Sequence, residues 1–255
     1  MNFAVIASKQ DPAALNIASE LEALDVKVNY LVEDSIYAER VCMTFKEDFL
    51  IFVSRHKSEK GTNSLTVHTP GNWKSADFGG QTGEVCPCSA FFLKHIFKIL
   101  TEKAKDSGYP VSLEVTHHGP YLEKPCCFIE IGSSEKQWED KKAARIVAST
   151  VKQAIDTYNE KYDWIPAIGI GGPHYCPNLN KIQLSSKYAL GHIIPEYMLP
   201  LTKFMLNQAL NKTIEKPKIA ILDWKGIGKS EQRKEILQLL DYSKIKAIRS
   251  EKIKD

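Results

Sequence analysis

The first thirty residues alternate a short apolar run, a helical pattern and a second apolar run, and this pattern restricts the fold most. Residues 3–8 are typical of a buried strand, and residues 26–32 are again extended. Between them, Asp11 and Pro12 supply an N-cap and a first helical residue, so a helix is predicted over residues 12–24. A strand–helix–strand unit requires two parallel strands joined by a right-handed crossover.

The remaining chain continues this alternation. Further strands are predicted at residues 41–45, 49–53, 64–68, 111–115, 127–131, 165–170, 182–185 and 218–222. Further helices are predicted at residues 89–105, 135–159, 196–210 and 229–240. The alternation predicts an α/β protein, a three-layer α/β/α sandwich around a mixed sheet. Because the 255 residues contain no internal repeat and no low-complexity linker, we expect one domain over residues 1–255.

Six of the seven histidines lie where a predicted strand ends, each beside turn residues or a second potential ligand. They are His56, His68, His117, His118, His174 and His192. Imidazole is the side chain best suited to bind zinc or to move a proton near neutral pH. Because loops that leave the strands of an α/β sheet converge on one crevice, the pattern predicts an enzyme, and a metal-dependent one.

His56 and Glu59 form an H-x-x-E pair after a predicted strand, so both side chains could face one metal ion. Three protein ligands and a water are the usual arrangement of catalytic zinc. His117 or His118 is the natural third ligand, because their strand could lie beside the one that carries His56. One of these adjacent histidines points away if the backbone is extended, and that one would have a structural role.

A hydrolase also needs a general base and a proton donor. Four glutamates lie near the ends of predicted strands, namely Glu84, Glu114, Glu130 and Glu196. Glu130 is preferred as the base because it ends a strand two residues before a glycine, although it could also lie on the solvent face of that strand. His174 or His192 could protonate a leaving group, and the alternative for His192 is a hydrogen-bonded place in the core.

The net charge of +3 is unevenly distributed along the chain. The C-terminal segment, about residues 203–255, holds 13 Lys and Arg residues against 7 Asp and Glu residues. A basic segment beside a mildly acidic body could attract a polyanion such as RNA. The alternative is a solvated, lysine-rich face that keeps the protein soluble.

The sequence carries no sign of export. The N-terminal apolar run is too short for a signal peptide, and no run approaches the roughly 20 apolar residues of a membrane helix. The six cysteines lack the paired C-x-x-C spacing of a structural zinc site, and we expect them to be reduced and buried. A cytoplasmic protein without membrane association is therefore expected.

Five segments that carry the histidines together resemble the archaeal and plant type of D-aminoacyl-tRNA deacylase. The segments are Ser54-Arg55-His56, residues 67–73, residues 114–120, residues 169–175 and Leu190-Gly191-His192. The resemblance runs in the same order from the first strand to about Gly228. It implies a phosphorylase/hydrolase-like α/β/α fold and a zinc-dependent hydrolase. It also implies that the substrate is the ester between a D-amino acid and the 3′ end of tRNA.

With D-aminoacyl-tRNA as the partner, five residues are expected to bind substrate: His68, Asn72, Lys218, Lys225 and Lys229. His68 could instead only cap the turn that follows it. No protein partner is evident, and a monomer is expected. The alternatives are a zinc amidohydrolase or carboxypeptidase-like enzyme on small acyl substrates, and a protein that binds the tRNA end without catalysis. The resemblance does not say which histidines hold metal.

Overall fold

The computed structural model describes residues 1–59 and 61–253, and these residues form ten strands and seven α-helices. The strands are β1 (Phe3–Ser8), β2 (Val28–Leu31), β3 (Phe49–Lys57), β4 (Ser64–His68), β5 (Val111–Leu113), β6 (Cys126–Ser133), β7 (Ile165–Ile170), β8 (Tyr188–Ile194), β9 (Ile219–Leu222) and β10 (Lys246–Arg249). The helices are α1 (Pro12–Glu22), α2 (Ala90–Lys103), α3 (Glu135–Trp138), α4 (Lys141–Thr157), α5 (Pro177–Ser185), α6 (Lys203–Asn211) and α7 (Ser230–Tyr242).

The strands form two sheets with helices packed around them. The larger sheet has the order β2-β1-β3-β6-β4-β5, and it is mixed because β4 runs antiparallel to β6. The smaller sheet has the order β10-β9-β7-β8, and all its neighbouring strands are parallel. The predicted α/β class with a mixed sheet is confirmed, but the sequence did not predict the second sheet.

The predicted strand–helix–strand opening is confirmed. β1 and β2 are parallel neighbours, with Val5 opposite Val28. The Asp11 carboxylate accepts the backbone N–H of Ala14 at 3.0 Å and so caps the start of α1. The same carboxylate accepts the backbone N–H of Arg55 at 2.8 Å. Asp11 therefore ties the start of α1 to the end of β3, where the first of the predicted site histidines lies.

The two sheets share the largest of three clusters of buried apolar residues. Helix α2 packs against β4 of the larger sheet and against β8 of the smaller one. The core that surrounds Phe92 of this helix includes Ile129 of β6 as well as Leu190 of β8. Because both sheets pack on the same helix, the loops at their strand ends are brought close together. No helix in the described part of the chain is long and apolar enough to cross a membrane.

Two predicted strands are wrong, because apolar residues that alternate as in a strand lie in helical turns. Residues 41–45 were predicted as a strand, but Val41–Met43 form a 3-10 turn in which Met43 is 83% exposed. Residues 182–185 belong to α5, which begins at Pro177. Proline is favoured at the first position of a helix, and this signal was outweighed by the spacing of Ile182 and Leu184.

Strand β8 was missed because its sequence contains a glycine and a histidine that were interpreted as a turn. Gly191 is instead a buried strand residue at a close contact. A Cβ atom on Gly191 would lie 2.8 Å from the Thr213 side chain and 3.1 Å from the Cys88 sulfur. The glycine is therefore required by packing within the strand. β10 was also missed, and its edge position gives it little apolar patterning.

Two predicted helices have different boundaries. The helix predicted at residues 135–159 is interrupted at Asp140, whose carboxylate accepts the N–H of Lys142 at 2.7 Å and begins α4. The helix predicted at residues 196–210 begins only at Lys203, because the Thr202 hydroxyl accepts the N–H of Met205 at 3.1 Å and caps α6. Both breaks result from local side-chain caps.

Candidate active site

Five histidines and two glutamates converge where strands of both sheets end. We call them the histidine–glutamate cluster: His56, His68, Glu114, His117, His118, Glu130 and His174. His56 lies in β3, His68 ends β4, and Glu130 lies in β6. The other members follow β5 or β7. The prediction that strand-end histidines meet in one place is therefore confirmed for five of the six histidines.

Glu114 lies at the centre of the cluster with a fully buried side chain. One carboxylate oxygen lies 3.1 Å from Nδ1 of His56. The other oxygen lies 3.4 Å from Nε2 of His117 and 3.3 Å from Nε2 of His174. Despite these short distances, neither oxygen has a hydrogen-bond partner with acceptable geometry in the described residues. Buried carboxylate oxygens are normally hydrogen-bonded or bound to a metal.

Glu130 is the second carboxylate of the cluster, and it faces the interior. The Ser54 hydroxyl donates a hydrogen bond of 2.6 Å to it, and the Thr66 hydroxyl lies at 3.4 Å. Its oxygens also lie 3.6 Å from Nδ1 of His56 and 3.7 Å from Nε2 of His68. The alternative of a solvent-facing strand residue is thereby excluded for Glu130, which is only 2% exposed.

Backbone carbonyls hold the rings of His117 and His118. Nδ1 of His117 donates to the carbonyl of Val115 at 2.9 Å, and Nδ1 of His118 donates to the carbonyl of Gly119 at 2.6 Å. Since Nδ1 carries the proton in both rings when they are neutral, Nε2 presents a lone pair. In both rings, this lone pair is on the nitrogen nearest to a carboxylate of the cluster.

Two tyrosines hold the other cavity-lining histidines in a similar way. The Tyr175 hydroxyl lies 2.8 Å from Nε2 of His56, which leaves Nδ1 to face Glu114. The Tyr197 hydroxyl lies 3.3 Å from Nδ1 of His174, which leaves Nε2 to face the same carboxylate. Outer partners of this kind orient imidazoles that bind metals.

The cluster shifts the pKa of its members in opposite directions. Burial opposes protonation of His56, but contacts with Glu130 and Glu114 raise its pKa to about 9. Burial lowers the pKa of His118 to about 4. Burial also opposes ionisation of Glu114 and Glu130, but the surrounding imidazoles hold the pKa of each below its usual range. At neutral pH both carboxylates are therefore charged and His118 is neutral.

Three groups within the cluster place their ligand atoms within 4.8 Å of one another, as a metal ion requires. The groups are His56-Glu114-His174, His68-His117-His118 and His68-Glu114-Glu130. The first two groups share no residue. Imidazole nitrogens and carboxylate oxygens are the donor set of catalytic zinc sites.

A cavity of about 980 Å³ adjoins the cluster. His56, His117, His118, Glu130 and His174 line its floor. Other lining residues, which include Ile36, Arg55, Lys57, Glu59, Phe78, Glu135 and Lys136, come from the loops and strand ends around it. Cavities of this size enclose small ligands and cofactors, so a substrate group can reach the cluster from solvent.

Two predicted site residues are not brought into the cluster. Glu59 is exposed and lines the cavity, but it belongs to none of the three groups of potential metal ligands. His192 is fully buried within β8, with Nδ1 at 3.1 Å from the Thr116 hydroxyl. Burial lowers its pKa to about 3, so His192 has the core position that was its alternative interpretation.

The other predicted substrate-binding residues differ in exposure and position. Asn72 is buried, and its side-chain amide donates to the carbonyl of Gly79 at 2.8 Å, which stabilises a loop. Lys218, Lys225 and Lys229 are exposed. Strands β7 and β9 are parallel. Lys225 and Lys229, which follow β9, therefore lie at the same end of the sheet as the segment that leads from β7 to the cluster. Lys218 precedes β9 and lies at the opposite end of the sheet. The last two residues of the basic segment are outside the described residues.

Glu114 is one of the four candidate carboxylates near strand ends, but it was not predicted as a metal ligand. The signal was present, because Glu114 and His117 have the spacing E-x-x-H in the segment that follows β5. The contribution of Tyr197 had no such signal, since it is 23 residues from His174 and meets it only in the folded chain.

Comparisons with known proteins identify relatives over most of the chain. A model of the D-aminoacyl-tRNA deacylase family matches residues 43–248, a range that contains the whole histidine–glutamate cluster. A D-aminoacyl-tRNA deacylase of Methanocaldococcus jannaschii is 41% identical over 254 residues, which cover 92% of this chain and 95% of that protein. A D-aminoacyl-tRNA deacylase of Pyrococcus abyssi is 39% identical over 193 residues, 75% of this chain and 70% of that protein.

A solved structure has the same fold over nearly the whole chain. The crystal structure of AF0625, described as a conserved protein of unknown function, aligns with a TM-score of 0.91 at 29% sequence identity. The alignment covers 99% of this chain and 96% of that one. Both sheets and the loops that carry the cluster therefore have a counterpart in a crystal structure.

Proposed function

Because the chain belongs to the D-aminoacyl-tRNA deacylase family, we propose that it hydrolyses the ester bond between a D-amino acid and the 3′ end of tRNA. The observation that carries this proposal is the buried histidine–glutamate cluster on the floor of an open cavity, within the residues that match the family. The family assignment does not favour the alternative of an amidohydrolase on small acyl substrates. A tRNA substrate agrees with the expected cytoplasmic location.

The cluster fits a zinc ion because lone pairs in it face each other without a proton between them. Nε2 of His117 presents a lone pair to a Glu114 oxygen only 3.4 Å away. Burial lowers the pKa of His117 well below its usual range, so protonation does not resolve this contact at neutral pH. A cation bound in the cluster would relieve this contact.

His56, Glu114 and His174 are the proposed zinc ligands, and His68, His117 and His118 offer a second set. In this proposal Glu114 replaces Glu59, the carboxylate ligand predicted from the H-x-x-E spacing. Zinc, when bound, would supply Lewis acidity that polarises the ester carbonyl and makes water nucleophilic near neutral pH.

The protein's own groups would handle the protons of the reaction. The Glu130 carboxylate is ionised at neutral pH and is held by the Ser54 hydroxyl, so it can accept a proton from the attacking water. His174, predicted as a proton donor, is partly exposed in the cavity, but as a proposed zinc ligand whose other ring nitrogen contacts the Tyr197 hydroxyl it would not also donate a proton. The proton that Glu130 accepts can instead pass to the departing ribose oxygen. His192, the other proposed donor, is neutral and buried away from the cavity.

Deacylation of matched D-tyrosyl-tRNA and L-tyrosyl-tRNA tests the proposed function. We expect the purified protein to hydrolyse the D form and to leave the L form nearly intact, because discrimination would come from steric exclusion of the L side chain. The measurement is the rate of amino-acid release at equal substrate concentrations. Equal rates for the two forms would contradict chiral proofreading, and release from neither, with zinc present, would contradict the proposed activity.

Charge reversal at Lys225 and Lys229 tests the contribution of the basic segment. These exposed lysines lie at the end of the sheet near the cluster. Lys225→Glu/Lys229→Glu should therefore raise KM and reduce its salt dependence, with little change in kcat. Lys218→Glu is the matched control, since Lys218 is exposed at the opposite end of the same sheet. KM would be measured at several salt concentrations. Unchanged KM and salt slope in the double variant would mean that these lysines only solvate the surface.

A further inference from the structure

Phe78 is an exposed aromatic residue on the wall of the cavity. Phe78 is 66% exposed, and it lines the same cavity as His56, His118 and Glu130. An aromatic ring offers a large apolar face, and a ring exposed within a ligand cavity is available to contact a ligand there. The metal site and the proton transfers proposed above make no use of this ring.

The loop that carries Phe78 is held firmly. The backbone N–H of Gly119 donates to the carbonyl of Phe78 at 2.9 Å, which links the loop to the residue after His118. The Asn72 side chain donates to the carbonyl of Gly79 at 2.8 Å. Gly79 has a φ of +73° and lies so close to the Ile36 carbonyl that a Cβ atom there would clash. The ring is therefore presented from a fixed backbone close to the cluster.

Phe78, Ile36 and Trp138 make up the apolar section of the cavity lining, and the other lining residues are charged or polar. The charged ones include Arg55, Lys57, Glu59, Glu135 and Lys136. The charges of both signs do not favour a purely anionic ligand at this section. An uncharged group with a flat apolar face suits it better, and a nucleobase has such a face.

We propose that Phe78 stacks on the base of the 3′-terminal nucleotide of the substrate tRNA, an adenine. This inference rests on the proposed function. The ester is attached to the ribose of that nucleotide, so a carbonyl placed at the cluster puts the base close to the cavity wall. Stacking would fix the ribose and present the ester to the cluster. Phe78 is thus a residue that positions the substrate.

Kinetics of Phe78 variants on D-tyrosyl-tRNA provide the first part of the test. Phe78→Ala should lower kcat/KM between about 5-fold and 150-fold, the effect expected for loss of one base–aromatic stack. Phe78→Trp should retain activity, because it keeps the aromatic face. Tyr242→Ala is the matched control: Tyr242 is 73% exposed on α7 and lies outside the residues that line the cavity, so its replacement should have no effect.

Two non-hydrolysable inhibitors provide the second part and identify the group that Phe78 contacts. One is 3′-D-tyrosylamino-adenosine, and the other is the same amide without the base. Phe78→Ala should weaken inhibition by the adenosine compound by the same factor as above and leave inhibition by the base-free compound unchanged. Equal weakening of both compounds would overturn the inference, because Phe78 would then contact the amino acid or support the cavity.

The proposed function and this inference fail in different ways. Full kcat/KM in Phe78→Ala, with wild-type protein that hydrolyses D-tyrosyl-tRNA, would overturn the stacking inference and leave the deacylase proposal intact. Failure of the wild-type protein to hydrolyse D-tyrosyl-tRNA in the presence of zinc would overturn both.

Discussion

Glu114→Gln is expected to remove bound zinc and to lower kcat for D-tyrosyl-tRNA by more than about 100-fold, since outer-shell changes alone cost about 10- to 100-fold. Glutamine has nearly the same size, so the substitution changes the charge and leaves the packing intact. The carboxylate lies within 3.4 Å of ring nitrogens of three histidines. Without this negative charge, the cluster would hold a cation much more weakly.

Glu196→Gln is the matched control for this prediction. Glu196 was one of the four candidate glutamates, but it is exposed in a 3-10 turn. We expect its replacement to leave the zinc content and kcat unchanged. Zinc content by elemental analysis and single-turnover rates would be measured on both variants, with circular dichroism to confirm folding. Normal zinc content and activity in Glu114→Gln would contradict the proposed metal site.

His56→Ala is the second substitution with a large expected effect. His56 belongs to one of the proposed ligand groups and is held by Tyr175 on its other nitrogen. Its loss should reduce zinc content and nearly abolish hydrolysis. Glu59→Gln distinguishes Glu114 from Glu59 as the carboxylate ligand. Because Glu59 is exposed and lies outside the ligand groups, its replacement should leave the zinc content unchanged. Loss of zinc in Glu59→Gln would restore Glu59 as the carboxylate ligand, and zinc retained in His56→Ala would contradict both ligand sets that include His56.

The raised pKa of His56 gives the same prediction a pH dependence. In the metal-free protein, its folded-state pKa of about 9 lies above the ordinary value of 6.5. The stabilisation by its charge is therefore complete below about pH 6.5 and is lost as the pH rises through about 9. Zinc needs the neutral imidazole, so zinc affinity should increase with pH up to about 9. In His56→Ala this part of the pH dependence should disappear.

The sequence predicts much of the larger sheet because its elements carry strong local signals. The N-cap of α1, the apolar run of β6 and the turn after β4 are all encoded within a few residues. β8 is different, because Gly191 fits there only through close packing against Thr213 and Cys88. Such a contact is remote in sequence, and no local pattern reveals it.

The candidate site was predictable to the extent that it depends on residue type at strand ends. Five of the six histidines meet as predicted, but not at one shared end of the sheet: β4 runs antiparallel to β6, so His68 and the segment after β5 reach the cluster from the direction opposite to that of His56. The partner carboxylate was assigned to Glu59 on spacing alone, whereas Glu114 is brought to the same histidines from another strand. His192 was misplaced in the same way, because recognising that it lies inside β8 requires the pairing of β8 with β7.

Hydrolysis of D-tyrosyl-tRNA by metal-free and zinc-restored protein tests the central proposal most directly. Metal would be removed with a chelator, the chelator would be dialysed away, and single-turnover rates would be recorded before and after addition of zinc. The proposal predicts almost no hydrolysis by the metal-free protein and recovery with stoichiometric zinc, with L-tyrosyl-tRNA nearly intact throughout. Full activity of a demonstrably metal-free protein would contradict the zinc site at the histidine–glutamate cluster.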